Sequence, residues 1–107
     1  MSQTRYKIDN NRRGIVIRFC RLRNEYIKSD SALHRNIANV IDSNKFLIGT
    51  DILSDEIRNS LREAIWDSTC DAKEYPYEVW NLPTISRNEF YERKRQFIYS
   101  VAEALGI

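Results

Sequence analysis

Apolar residues recur every three or four positions along most of this chain of 107 residues. That spacing is typical of helices that bury one face, and four windows carry it. The apolar sets are Ile15, Phe19, Leu22 and Tyr26; Leu33, Ile37, Val40 and Ile41; Leu53, Ile57, Leu61 and Ile65; and Phe90, Phe97, Val101, Ala104 and Leu105. The pattern predicts helices over residues 12–28, 31–44, 50 or 54 to 69, and 86–105.

The segments outside these helices differ in character. Residues 1–10 are polar and predict a flexible arm. The run 46–48 is apolar and could form a strand, but the sequence offers it no partner, so we expect an extended link that the core covers. Pro76 disfavours helix at the preceding residue but tolerates a first turn, so residues 75–80 predict a short helix.

The last predicted helix has the best-defined ends. Ser86 and Glu89 fit a capping box, in which Ser86 accepts from the amide of Glu89 and the Glu89 carboxylate reaches back to the amide of Ser86. Gly106 supplies the stop. The side chains opposite the apolar face are Asn88, Glu92, Arg95 and Tyr99. The earlier helices have caps of the same kind, at Asp30 or Ser31 and at Thr50 or Ser54.

Length and composition favour a single globular domain spanning residues 1–107. With 42% apolar residues the chain can bury a core, and the elements above predict an all-α fold, a single compact bundle of four to five helices. No window approaches 18 consecutive apolar residues, and the first five residues lack the apolar stretch of a secretion signal. We therefore expect a cytoplasmic protein without a membrane partner.

The net charge of +2 hides an uneven distribution along the chain. Residues 1–28 carry +6, residues 29–85 carry −5 and residues 86–107 carry +1. The two ends could therefore build a basic patch for a polyanion, or could match the acidic middle within the same molecule. Charge alone leaves both open.

The residue types that most enzymes need are scarce. His34 is the single histidine, and no serine or cysteine has a nucleophile-elbow context. Cys20 and Cys70 stand fifty residues apart without a metal-binding or redox motif, and Cys20 lies on an apolar stripe, which favours a buried thiol. Three glycines cannot form a nucleotide-binding loop. We expect no enzymatic activity, no cofactor and no metal.

The carboxyl-terminal quarter resembles a known family of small phage regulators. The matching elements, in order, are Ile85-Ser86, Phe90-Tyr91, Arg93-Lys94-Arg95 and Ala102-Glu103-Ala104-Leu105-Gly106-Ile107. They are similar to the end of the ArpU/RinA-type late-gene activators, whose last module is like the helix-turn-helix of sigma-factor region four. The resemblance implies a helix-turn-helix-like unit over residues 75–107, although bulky residues 80–83 replace the small residue expected near the turn.

This resemblance implies a transcriptional regulator that reads duplex DNA with its last helix. Base-edge contacts come from the first turns of a recognition helix, where Arg and Asn can bond guanine and adenine in bidentate fashion. The residues expected at base edges are Arg87, Asn88, Tyr91, Glu92 and Arg95. The residues expected at phosphates are Arg93, Lys94, Arg12 and Arg13, with Arg18, Arg21 and Arg23 adding to them if they share the surface.

A second hypothesis stays open beside this one. The aromatic residues Tyr75, Tyr77, Trp80, Phe90 and Tyr91 could form a docking site for a host protein such as RNA polymerase. They could equally close the core, as large aromatic residues mostly do. A homodimer is possible in either case, since the broad apolar stripe of the first helix could make a symmetric contact.

Overall fold

The computed structural model describes residues 6–107, and these form five α-helices and one short 3-10 helix. The elements in chain order are α1 (Asn10–Arg21), α2 (Arg23–Tyr26), α3 (Ala32–Lys45), α4 (Asp55–Thr69), the 3-10 helix (Tyr77–Trp80) and α5 (Arg87–Leu105). The described residues contain no strand. The prediction of an all-α compact bundle is confirmed, and the predicted short helix after Pro76 is the 3-10 helix.

Serine side chains begin three of the helices, as predicted. The Oγ atoms of Ser31, Ser54 and Ser86 accept hydrogen bonds from backbone amides three residues on, at 3.3, 3.3 and 3.1 Å. Such caps satisfy amides that lack a partner within the helix and stabilise it by about 1 kcal/mol. Gly106 ends α5 in the left-handed conformation, with φ of 75°.

Helix α5 lies at the centre of the bundle, and α1, α3 and α4 all pack against it. Its side chains Phe90, Phe97, Ile98 and Val101 are fully buried in one hydrophobic cluster. The other helices contribute Val16, Cys20, Ile37, Ile41, Leu61 and Ile65 to the same cluster. Burial of each such side chain stabilises the fold by roughly 1.5–3 kcal/mol. The buried face of α5 therefore holds this helix in the bundle.

Several details of the sequence prediction are wrong, among them the burial of Ile15 and Leu33, which are 45% and 67% exposed. The first helix does not run unbroken to residue 28, because a turn at Leu22 separates α1 from α2. Residues 46–51 form turns instead of an extended link, and the core covers Ile48 but leaves Phe46 and Leu47 exposed. Leu53 precedes α4 and is 97% exposed. Near the end of α5, Ala104 faces solvent.

The predicted flexible arm falls partly outside the described residues, which begin at Tyr6. The described part is packed: the Tyr6 ring meets the Tyr99 ring edge-on at 5.6 Å. Asp9 caps α1 by accepting from the amide of Arg12 at 3.2 Å. Residues 6–9 therefore lie along the bundle beside α5. Among residues 6–107, no helix combines the length and apolar character that crossing a membrane requires.

Candidate nucleic-acid interface

The outer side of the first turn of α5 is exposed. Arg87 is 67% exposed and Asn88 is exposed, whereas Phe90, on the opposite side of the helix, is fully buried. Tyr91 is half-buried, and the Arg87 guanidinium lies 5.9 Å from the centre of its ring. The free amides and the dipole of a helix start favour negative charge nearby. This end of α5 therefore presents hydrogen-bonding groups at a helix start, where the exposed Glu78 carboxylate lies 3.9 Å from Nη1 of Arg87 and offsets part of the positive charge.

The segment before α5 holds this helix start in place. The Tyr77 hydroxyl donates to the Ile85 carbonyl, and the Tyr77 ring packs on Phe90 at 5.7 Å. Leu82 and Ile85 are buried, while Thr84 between them has φ of 66°. The 3-10 helix is a single turn of four residues, shorter than the positioning helix that the resemblance implies. The helix-turn-helix-like assignment of residues 75–107 stays a prediction.

The structure shows one of the two hydrogen bonds that the predicted capping box of Ser86 and Glu89 requires. Ser86 accepts from the Glu89 amide as expected. The Glu89 carboxylate accepts instead from Nε of Arg93, one turn later, at 3.0 Å. The Glu89 side chain therefore pairs with Arg93 within α5.

A cavity of about 300 Å³ lies where α1, α5 and the segment after α4 meet. Its lining residues are Arg13, Ser68, Glu74, Tyr75, Phe90, Tyr91, Lys94 and Arg95. Arg13 comes from the first turn of α1, while Lys94 and Arg95 come from the middle of α5, so distant parts of the sequence bring three cations together. Glu74 is the one carboxylate in this lining.

The nearby positive charges affect the pKa of Lys94. It is half-buried, and its burial is the main cause of a lowered pKa. The guanidiniums of Arg13 and Arg21 lower that pKa further, while the Glu74 carboxylate opposes the change. An ammonium that is both desolvated and surrounded by like charge is stabilised by any anion that enters the cavity.

The later part of the α5 face predicted to read DNA, with Arg95 and Tyr99, lies against residues 6–10. Tyr99 packs against Tyr6, and Arg95 lines a shallow cleft together with residues 6–10 and Arg13. Nη2 of Arg95 donates to the Glu92 carboxylate at 2.8 Å. The Nε atom of Arg95 is buried and has no hydrogen-bond partner among the described residues. Arg95 therefore lines the cavity and the cleft, although 43% of its side chain stays exposed, and Glu92 pairs with it from outside the lining.

Arg93 points to another side of α5 and holds two carboxylates. Its Nη1 and Nη2 atoms donate to the two oxygens of Asp51, each at 2.8 Å, and its Nε donates to Glu89. The hydrogen bonds that Arg93 donates lower the pKa of Asp51 to about 2, and the same bonds raise the pKa of Arg93. We assign Arg93 a structural role, in place of the phosphate contact that its position in the basic run predicts.

Most arginines of α1 and α2 named as phosphate contacts also bond to groups within the fold, and Arg13 lines the cavity. Arg12 pairs with Asp9 at 3.3 Å, while Arg13, one residue on, turns towards the cavity. Arg21 donates to the Thr69 carbonyl at 3.1 Å, and Arg23 binds Asp42 through two hydrogen bonds. Of the predicted phosphate contacts, Arg13 and Lys94 come together, whereas Arg12 and Arg93 lie elsewhere.

Two residues of the cavity, Ser68 and Glu74, were not predicted as site residues, and Tyr75 was predicted only within the aromatic docking set. All three reach the cavity from the end of α4 and the segment that follows it. The sequence carries no spacing signal for them, because they meet Arg13 only when α1 packs beside α5. The preference of tyrosine for interfaces was the one available hint, and it pointed to Tyr75.

The single histidine and the two cysteines are packed within the fold. The His34 ring stacks on Tyr26 with centroids 4.2 Å apart, and its Nδ1 shares a hydrogen bond with Ser29. Cys20 is buried, as its place on the apolar stripe predicted, and Cys70 is buried beside it. A hydrogen bond with the Cys20 thiol, together with burial, raises the pKa of Cys70. A raised pKa disfavours the reactive thiolate.

Comparisons of this chain with family models, with curated proteins and with solved structures find no match. The arguments about function therefore depend on the residues and their geometry. The likeness of residues 85–107 to phage regulators stays a prediction.

Proposed function

We propose that this protein binds duplex DNA, with the first turns of α5 at the bases and the neighbouring cavity at the phosphates. One observation carries the proposal: Arg13 of α1 converges with Lys94 and Arg95 of α5 beside an exposed helix start. Two separate elements thereby add positive charge at one place, next to side chains that can read base edges. A scattered distribution of arginines would not support this proposal.

The arrangement along α5 fits a nucleic-acid backbone. Arg87, Tyr91 and Lys94 recur at intervals of four and three residues, which is the spacing of one helix face. At 1.5 Å per residue, Arg87 and Lys94 lie roughly 10 Å apart along the helix axis. The face therefore offers positive charge at both ends of a short span, with an aromatic ring between them.

The proposed roles differ from those that the resemblance implies. Arg87 and Asn88 contact bases, because they are exposed on the first turn and have bidentate geometry. Arg13, Lys94 and Arg95 contact phosphates. Glu92 is left out, since it pairs with Arg95. The chain would then act in the cytoplasm as a transcriptional regulator of the phage type.

Salt dependence tests the proposal. Fluorescence anisotropy should be measured with DNA duplexes from the region around the gene of this protein. The affinity for DNA should fall by about 0.9 logarithmic units per phosphate contact for each tenfold increase in salt. Arg13→Gln and Lys94→Gln should weaken all sequences alike and each reduce the salt slope by about 1, whereas Arg87→Ala should cost about 1–3 kcal/mol at a specific site. Binding that is absent, or that salt leaves unchanged, would overturn the proposal.

Arg18→Gln is the matched control for these variants. Arg18 lies on α1, as Arg13 does, but it is exposed and lies outside the lining of the cavity. Its loss removes the same charge from the same helix. If Arg18→Gln weakens DNA binding as much as Arg13→Gln does, general charge explains the binding and the cavity has no special role.

A second candidate function, docking on a host protein, is favoured by a different surface. Phe46 and Leu47 are exposed in the turns between α3 and α4, and Leu53 is 97% exposed just before α4. Exposed apolar side chains grouped within eight residues of sequence are typical of protein contacts. The aromatic set that first suggested docking gives weaker support, because Phe90 is buried and Tyr77 bonds to the backbone.

This second candidate predicts a partner that nuclease treatment does not remove. A pull-down should then recover one stoichiometric protein, and replacing Phe46, Leu47 and Leu53 together by Ser should release it. Arg87→Ala should leave that partner bound. A partner lost on nuclease treatment would instead favour DNA binding.

A further inference from the structure

The cavity between α1 and α5 holds more positive charge than its surroundings neutralise. Arg13, Lys94 and Arg95 line it, and Arg21 lies close enough to lower the pKa of Lys94. Two carboxylates oppose these four cations. Glu74 pairs with Arg21 at 3.6 Å, and Glu92 pairs with Arg95 at 2.8 Å.

The two remaining cations have no such partner. The ion pairs that the structure shows within residues 6–107 do not include Arg13 or Lys94, and the Glu74 carboxylate acts on Lys94 from beyond ion-pair distance. Both side chains are half-buried, so water compensates them less than it does an exposed lysine. Half-buried like charges that face one another cost free energy of folding, and a bound anion recovers that cost.

The donors around the cavity suit a particular shape of anion. Arg13 approaches from α1, while Lys94 and Arg95 approach from α5, so their N–H groups converge from different directions. Arginine forks and lysine ammonium groups together are the usual ligands of phosphate, whose oxygens can accept from several sides at once. The Nε atom of Arg95 adds a buried donor without a partner among the described residues.

The rest of the lining can hold what is attached to the anion. The volume of about 300 Å³ is at the lower end of small-molecule cavities and exceeds what one inorganic ion needs. Tyr75, which is half exposed, and Tyr91 present aromatic rings at the same cavity, and nucleobases stack on such rings. The Ser68 hydroxyl donates to the Ile65 carbonyl at 3.0 Å, so its oxygen offers the cavity a hydrogen-bond acceptor.

We infer that this cavity is a binding site for the phosphate of a nucleotide, with Arg13, Lys94 and Arg95 around the phosphate and Tyr75 and Tyr91 beside the sugar and base. This inference rests on the proposed function, because it names the chemical group that the DNA-binding surface takes up. The phosphate can come from within a strand or from its 5′ end. Both sources share the same chemistry.

Titration with inorganic phosphate at constant ionic strength tests the site directly, with ¹H–¹⁵N NMR as the readout. The backbone amides of α5 around Lys94 and of the first turn of α1 should shift and saturate, and equal ionic strength of NaCl should leave them in place. Lys94→Gln and Arg13→Gln should each weaken phosphate binding about tenfold or more, as the loss of one charge-assisted hydrogen bond implies. Arg18→Gln should bind as the parent protein does.

Two dinucleotides then separate the sources of the phosphate. Both contain one internal phosphodiester, and only one carries a 5′-phosphate. Tighter binding of the phosphorylated form assigns the cavity to a strand end, and equal binding assigns it to the backbone. A failure of phosphate and of both dinucleotides to bind, or equal binding by all three variants, overturns the inference.

The outcomes also separate this inference from the proposed function. Saturable phosphate binding without any affinity for duplex DNA supports the site and overturns the DNA proposal. Salt-sensitive DNA binding that Lys94→Gln leaves unchanged, with no shift caused by phosphate, overturns the site and leaves DNA binding to Arg87 and Asn88. Circular dichroism melting of each variant checks that it is folded.

Discussion

The replacement of Arg93 by Ala separates the structural arginine of the basic run from its neighbour Lys94. Arg93 is 16% exposed and holds Asp51, in the turns between α3 and α4, through two hydrogen bonds of 2.8 Å. It also holds Glu89 on its own helix at 3.0 Å. The variant therefore detaches the α3–α4 connection from the central helix while leaving the cavity intact.

The magnitude follows from the exposure of the partners. Removing one member of a fully buried ion pair costs about 3–5 kcal/mol, because the other charge is left without compensation. Asp51 is 70% exposed and Glu89 is 37% exposed, so water takes over most of that compensation. An exposed pair contributes roughly 0.2–1 kcal/mol. With three hydrogen bonds and a well-packed guanidinium, we expect a loss of about 1–2 kcal/mol, between the two limits.

Thermal unfolding followed by circular dichroism at pH 7 measures this loss. In a domain of about 100 residues, 1 kcal/mol corresponds to roughly 4–8 °C, so Arg93→Ala should lower Tm by about 4–16 °C. Arg18→Ala, which removes an exposed arginine, should stay within about 0.5 kcal/mol of the parent. At temperatures where both variants are folded, Arg93→Ala should bind DNA as the parent does. An unchanged Tm with a loss of DNA affinity equal to that of Lys94→Gln would refute the structural assignment.

Three further predictions concern the fold. Because the pKa of Asp51 in the folded protein is about 2, below the usual 3.9, its contribution is complete above about pH 4 and is lost as pH falls towards 2. Asp51→Asn should therefore be less stable than the parent in urea at pH 7, but equal to it at pH 2. Ser86→Ala removes the cap of α5 and should cost about 1 kcal/mol in the same urea assay, with Ser100→Ala as control. Phe97→Ala empties the centre of the core and should cost about 3–5 kcal/mol, measured by calorimetry.

The helix starts could be predicted because they depend on neighbours in sequence. Ser31, Ser54 and Ser86 each bond an amide three residues away, so a window of four residues contains the whole interaction. The same holds for Gly106, whose left-handed backbone is a local property. The turn at Leu22 was missed because the apolar spacing continues through it from α1 into α2.

The cavity could not be predicted in the same way, because its parts depend on packing between distant elements. Arg13 and Lys94 are 81 positions apart, and only the contact between α1 and α5 brings them to one place. Neighbours in sequence are separated by the same geometry. Arg93 and Lys94 are adjacent in the basic run, but Arg93 bonds Asp51, whereas Lys94 lines the cavity together with Arg13 and Glu74.

The position of α5 limits how it can meet DNA. A helix that packs against α1, α3 and α4 cannot also place its whole length in a groove, because its middle and last turns form the core. The turn after Ser86 is open on its outer side, and Tyr6 covers the same face further along, at Tyr99. Under the proposed function, Arg87 and Asn88 would therefore read the bases, and the cations beyond Tyr91 would contact the backbone beside them. The proposed phosphate site in the cavity and a short reading turn would then belong to one mode of binding.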